Sequence, residues 1–181
     1  MKWGFPVRGA RRVCPKTGMV LHAYAGPDPD KRVACFASHA LLWTWAADHK
    51  EAVLILEDDV RFISSEVPLE GLADNGYGAI GINDPMGATR RAGAYHRGVQ
   101  KQQGGAVVDA PWVDRRSIPQ GLAGGSAYII KPWAAGEVLD KAREIGAWPN
   151  DALLCKQLFP WLGQSKKYYT KVSGRPSTLA R

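Results

Sequence analysis

Glu57, Asp58 and Asp59 stand side by side where an apolar run, Val53-Leu-Ile-Leu56, ends. Carboxylates cannot be buried unpaired, because a lone charge in an apolar interior is prohibitively costly. They therefore need water, a cation or a metal. Hard divalent ions such as Mn2+ or Mg2+ take oxygen ligands and bridge readily to phosphate. The cluster thus points to a metal site that holds a phosphate-bearing ligand, with a solvated acidic loop as the plain alternative. In an extended segment alternate side chains share a face, which would set Glu57 with Asp59 and turn Asp58 the other way.

Four further groups have types suited to chemistry. Ser38 and His39 are adjacent near the beginning of a helical pattern. Neighbours on a helix diverge by about 100°, so they do not make a nucleophile–base pair. No G-x-S-x-G elbow occurs either, which removes the hydrolase reading. They are left to bond a ligand, to support the acids, or to serve the fold as a cap and a buried hydrogen-bonded histidine. Gly124, Gly125 and Ser126 precede a strand; glycines there form a plain turn or let the backbone approach a sugar or phosphate. Arg90, Arg91, Arg115 and Arg116, with Arg97 and Lys101, are candidates to hold phosphate or an anionic acceptor, since a guanidinium grips phosphate with two prongs. Asp151, in Pro149-Asn-Asp151, falls in a first helical turn, where an acid also complements the helix dipole.

The elements that position these residues follow from periodicity. Met19–Ala25 reads as a short strand closed by the turn-like Gly26–Asp30. Ala37, Ala40, Leu41, Trp43 and Ala47 recur at helical spacing and predict a helix over about 33–50. Val53–Leu56 reads as a strand buried on both faces, as in a parallel sheet. Tyr77–Ile82 and Ser126–Ile130 are further strands, and Tyr168–Val172 a last one. Pro132–Ile145 predicts a helix with proline in its first turn. Another is expected from Asn150, as N-cap, to Phe159, stopped by Pro160. Residues 1–18, rich in Gly, Pro and Arg, are poorly defined, and 84–120 read as an irregular, lid-like segment. Strands alternating with helices give an α/β class.

Composition narrows the setting. The 181 residues make one domain with a sizeable core, and no apolar run approaches the roughly 20 residues of a membrane span. The N-terminus lacks the apolar stretch of a secretory signal. Cys14, Cys35 and Cys155 are dispersed without zinc-ligand spacing and read as ordinary core or surface residues. Together these features suit the cytoplasm of a bacterium or a virus-infected host cell. The net charge of +7 is uneven: residues 34–84 hold two basic and nine acidic residues, the rest 22 basic and eight acidic. A basic surround favours polyanions such as a nucleotide diphosphate, nucleic acid or anionic glycolipid. Lys166, Lys167, Tyr168, Tyr169 and Lys171 mix charge with aromatics, as nucleic-acid surfaces do, although a half-buried strand gives the same pattern.

Cys35-Phe-Ala-Ser38-His39, the Leu-Trp at 42–43 and Leu54-Ile-Leu-Glu-Asp-Asp-Val60 resemble glycosyltransferase family 25, the group of lipopolysaccharide and collagen galactosyltransferases. Gly124-Gly-Ser-Ala-Tyr-Ile-Ile-Lys131 and Pro149-Asn-Asp-Ala-Leu153 resemble two of its weaker motifs. The resemblance implies a GT-A-like α/β domain spanning 1–181, with a mostly parallel central sheet flanked by helices. It implies transfer of a hexose, with inversion, from a UDP-glucose or UDP-galactose type donor to a hydroxyl, using Mn2+ or Mg2+. Glu57 and Asp59 would then hold the metal, with Ser38, His39, Asp58, Gly124, Gly125 and Ser126 on the donor. Transfer to an alcohol needs a positioned base, and Asp151 is the best candidate, ahead of Asp84 and Asp114. The acceptor is expected to be an anionic glycan or a hydroxymethylated base in DNA, which would have to be extruded to react. The Ile-Asn-Leu-Asp-Arg-like opening strand of the family has no counterpart here. That departure keeps a second reading open, a non-enzymatic nucleic-acid-binding module on a degenerate transferase fold.

Overall fold

The computed structural model describes residues 12–13, 19–21, 29–89, 91–115, 118–123 and 125–174. The elements in chain order are β1 (Arg12–Val13), β2 (Val20–Leu21), α1 (Pro29–Asp48), β3 (Val53–Leu56), β4 (Val60–Phe62), α2 (Leu69–Ala73), β5 (Ala79–Gly81), α3 (Ala92–Gln100), β6 (Val107–Asp109), β7 (Val113–Arg115), β8 (Ile118–Gln120), β9 (Ala127–Ile130), α4 (Pro132–Ile145), α5 (Asn150–Leu153), β10 (Leu162–Ser165) and β11 (Thr170–Val172).

Five strands form the central sheet, in the order β3-β9-β5-β10-β6. The α/β class holds, but the mostly parallel sheet does not. β9 runs antiparallel to both β3 and β5, β10 is antiparallel to β6, and β5–β10 is the one parallel pair. Apolar runs do not encode direction: β9 is buried throughout because it lies between two strands and under two packed faces. β3 departs from expectation as well. It sits at the end of the sheet's strand order, and Ile55 is its one fully buried side chain.

Side-chain alternation sorts the strands into two packing faces. Tyr128 and Ile130 of β9 join Ile55 of β3 in the larger core, with Phe36, Ala40 and Trp43 of α1 and Val138, Leu139 and Ala142 of α4. Ala127 and Ile129 point the other way, into a smaller core with Leu72, Ile82 and Tyr169. Helix α4 starts with Pro132 in its first turn, and Gly146, at φ 85°, ends it. Among the described residues no helix is long and apolar enough to cross a membrane.

Three local expectations change. Residues 58 and 59 form a turn, closed by the Val60 N–H on the Glu57 carbonyl at 3.3 Å, so the acids do not continue an extended strand. Helix α5 covers only Asn150–Leu153, because Leu154 leaves helical geometry at ψ 63°. Pro149 takes its N-cap position, which frees the Asn150 side chain for other bonds. The stretch 84–120 holds α3 and strands β6, β7 and β8. Tyr95 and Val99, one helical turn apart, anchor α3 in a third core cluster with Val108, Val113 and Ala123.

Candidate functional site

Antiparallel pairing brings the carboxyl ends of β3 and β5 to the same sheet edge as the amino end of β9. Leu56 pairs with Ala127, Gly81 pairs with Tyr128, and the Glu57 N–H donates to the Ser126 carbonyl at 2.8 Å. Glu57 continues the alternation of Val53 and Ile55 and so faces α1. There the residues Cys35, His39 and Trp43 follow one another at intervals of four on one side of the helix.

The side chains form a connected network. His39 Nε2 lies 3.0 Å from Glu57 Oε1, and His39 Nδ1 lies 2.8 Å from the Tyr128 hydroxyl. The Trp43 indole N–H donates to the same hydroxyl at 2.7 Å. The Asn150 amide donates to Glu57 Oε1 at 3.2 Å and accepts from the Cys35 thiol at 3.5 Å. Trp43, His39 and Tyr128 are buried, while Glu57 is half-buried and opens the network toward solvent. Burial, with the charges of Glu57 and Asp151 added, pushes the Cys35 thiol up to about 11, so it stays protonated at neutral pH. Burial likewise pushes the Tyr128 phenol far above its ordinary range.

The acid turn divides its residues. Asp58 is exposed. Asp59 is half-buried, and its Oδ1 is enclosed with no hydrogen-bond partner among the described residues. Its carboxyl is raised above the ordinary aspartate value, first by desolvation and then by Glu57 and Asp58. Asp59 thus offers a buried carboxylate oxygen without a partner among the described residues, near the charges of Glu57 and Asp58, and oxygen is the donor type that hard cations such as Mn2+ or Mg2+ take. Cys35, His39 and Glu57 form a second set, whose ligand atoms lie within 4.8 Å of one another and whose types suit a softer ion such as zinc.

The structure gathers His39, the acid turn, Gly125, Ser126 and Asp151 at this edge. Gly125 has φ 65°, and a Cβ built there would lie 3.7 Å from that of Asp151. Gly121 is held tighter still: a Cβ would come within 2.0 Å of the Asp151 carbonyl oxygen, so only glycine lets α5 approach. Ser38 departs from the group, exposed and bonded to its own helix at the Ala34 carbonyl, 3.0 Å away. Arg91 is exposed at the start of α3. Of the remaining candidates, Arg90, Arg116 and Gly124 lie outside the described residues, and of Arg115 and Asp114 only the backbone, in β7, is described. Asp84 accepts the Met86 N–H at 2.9 Å in a turn of its own.

As members of the site, Cys35, Trp43, Tyr128 and Asn150 escaped sequence reasoning. The four-residue spacing of 35, 39 and 43 was the available signal. Asn150 and Tyr128 lay inside the two weaker motif resemblances, but nothing in their spacing tied them to Glu57 and His39, since that depends on which strands pair.

Residues 29–74, about a quarter of the chain, match the family model described as Glycosyltransferase family 25 (LPS biosynthesis protein). The matched segment carries α1, β3, the acid turn, β4 and α2, and it suggests glycosyl transfer in general. No curated protein and no solved structure matches the chain.

Proposed function

We propose that this chain is a metal-dependent glycosyltransferase that moves a hexose, with inversion, from a UDP-glucose or UDP-galactose type donor to a hydroxyl group. One observation carries the reading: the segment that matches the transferase family contains a turn whose Asp59 Oδ1 is buried near the charges of Glu57 and Asp58, with no partner among the described residues. Asp59 and Glu57 would hold the cation, and Asp58, exposed at the tip, would meet the donor. Bound there, a divalent ion neutralises charge developing on the departing diphosphate. Gly125 and Ser126, at the start of the neighbouring strand, would bring backbone close to the sugar.

Asp151 is the proposed base. It is exposed on α5, near Cys35 and Gly125, and it would accept the proton of the acceptor hydroxyl as that oxygen attacks the sugar carbon. Attack from the face opposite the diphosphate inverts the anomeric centre. The basic excess outside residues 34–84 suits an anionic acceptor. The family description, an LPS biosynthesis protein, favours an anionic glycan over modified DNA.

The test is UDP release from each donor with Mn2+, with lipopolysaccharide core glycan or hydroxymethylated DNA as acceptor. Metal-dependent release with the glycan is expected, and it should vanish in Asp59→Ala. Unchanged turnover in Asp59→Ala would refute the metal role. DNA binding that falls steeply with salt, with no donor binding at all, would replace the enzyme by a nucleic-acid module.

A further inference from the structure

Hydrogen-bond chemistry leaves the four-residue network a single self-consistent arrangement. An indole nitrogen only donates, a carboxylate only accepts, and a tyrosine hydroxyl carries one proton. Trp43 therefore donates to the Tyr128 oxygen, and Glu57 accepts from His39 Nε2–H. Among the described residues the Tyr128 proton then has one hydrogen-bonded acceptor, His39 Nδ1 at 2.8 Å. A proton on Nδ1 would strand the Tyr128 hydroxyl proton in a site with no exposed surface, since Tyr128 is 0% exposed.

We infer that Trp43 and Tyr128 lock His39 in its Nε2–H tautomer, and that His39 so locked is a positioning residue that fixes the orientation of the Glu57 carboxylate at the head of the acid turn. The bonds made by His39 and Asn150 both fall on Oε1, which orients the carboxylate group as a whole. The outward end of the relay is thus Glu57, and its inward end is an indole packed at 5.9 Å from Phe36 in the larger core. Rigid core packing is transmitted to a ligand-facing acid through two side chains. The inference rests on the proposed function only for what Glu57 binds; the tautomer stands on geometry alone.

Two measurements on the full chain test it. In 15N-labelled protein, long-range proton–nitrogen correlation spectra report the His39 tautomer, assigned by its loss in His39→Gln. Nε2–H is expected; a proton on Nδ1, or zinc on Nε2 in metal-loaded protein with Cys35 as co-ligand, overturns the inference. Mn2+ affinity, read by the free-ion paramagnetic signal, should fall about 10- to 100-fold in His39→Leu and in Tyr128→Phe. His39→Gln should recover most of that loss, because its amide can donate to Glu57 and accept from Tyr128. Recovery supports positioning through hydrogen bonds, whereas a Gln variant as weak as the Leu variant overturns it. If wild-type protein binds no Mn2+, the proposed function fails, and the tautomer spectrum decides the relay independently.

Discussion

Two tyrosines, Tyr128 and Tyr95, are fully enclosed, and each bonds a polar side chain of the interior. Tyr95 donates to Gln164 Oε1 at 3.1 Å, and Gln164 passes the chain on to the Gly81 carbonyl at 2.8 Å. That network begins and ends inside the protein, tying α3 to the middle of the sheet. The Tyr128 network has the same materials but a different end: it leaves the core through His39 and stops on a half-buried carboxylate. A closed network of this kind serves the fold. An open one also presents an oriented charge to whatever binds outside, and this is what separates the proposed site from an ordinary buried polar cluster.

The sharpest way to test that contrast lies beside the open end. Asp151→Asn should lower transfer by about 100- to 10,000-fold, the usual contribution of a general base, with Mn2+ affinity unchanged because Asp151 is not assigned to the cation. Equal loss of affinity and rate would merge the two roles. Next come the paired tyrosine variants. Tyr95→Phe and Tyr128→Phe should each cost about 1–3 kcal/mol of stability in urea unfolding, since each strands a buried polar partner. Only Tyr128→Phe should weaken Mn2+ binding, and a comparable loss in Tyr95→Phe would erase the distinction.

The smallest effect is a slope with pH. A carboxyl raised in the folded state binds its proton more tightly there than in the unfolded chain, so the folded form holds more protons just above the unfolded value of 3.8. Stability of the metal-free protein should therefore fall as pH rises through that window toward the raised folded value. Asp59→Asn should flatten the fall, as followed by melting temperature. A slope that is unchanged in the variant would assign it to other acids.

How much of this was legible in the chain depended on which physical signal each part carries. α1, β3 and α4 announce themselves because their apolar spacing is set by one helix or strand. The direction of the sheet is not written in such runs: β9 is as apolar as a parallel strand because it is central, and the antiparallel pairing shows only in three dimensions. α3 was hidden because Tyr95 and Val99 anchor it amid glycines and arginines. The acid cluster was legible as chemistry, yet its shape was not, since a turn at Asp58 and Asp59 replaces the assumed extension. Asn150 reads in sequence as a helix cap, but Pro149 takes that place and its amide joins Glu57 to Cys35. The relay itself lay half-visible in the spacing of Cys35, His39 and Trp43, and needed β9 beside β3 to supply Tyr128.

The central claim is that the acid turn binds a divalent cation together with a nucleotide sugar. It is met most directly by titrating Mn2+ into the protein with UDP-galactose present and following the free-ion paramagnetic signal. One ion per chain should be taken up by wild-type protein, and uptake should be at least about tenfold weaker in Asp59→Ala. Equal uptake by both proteins, or none by either, would contradict the account.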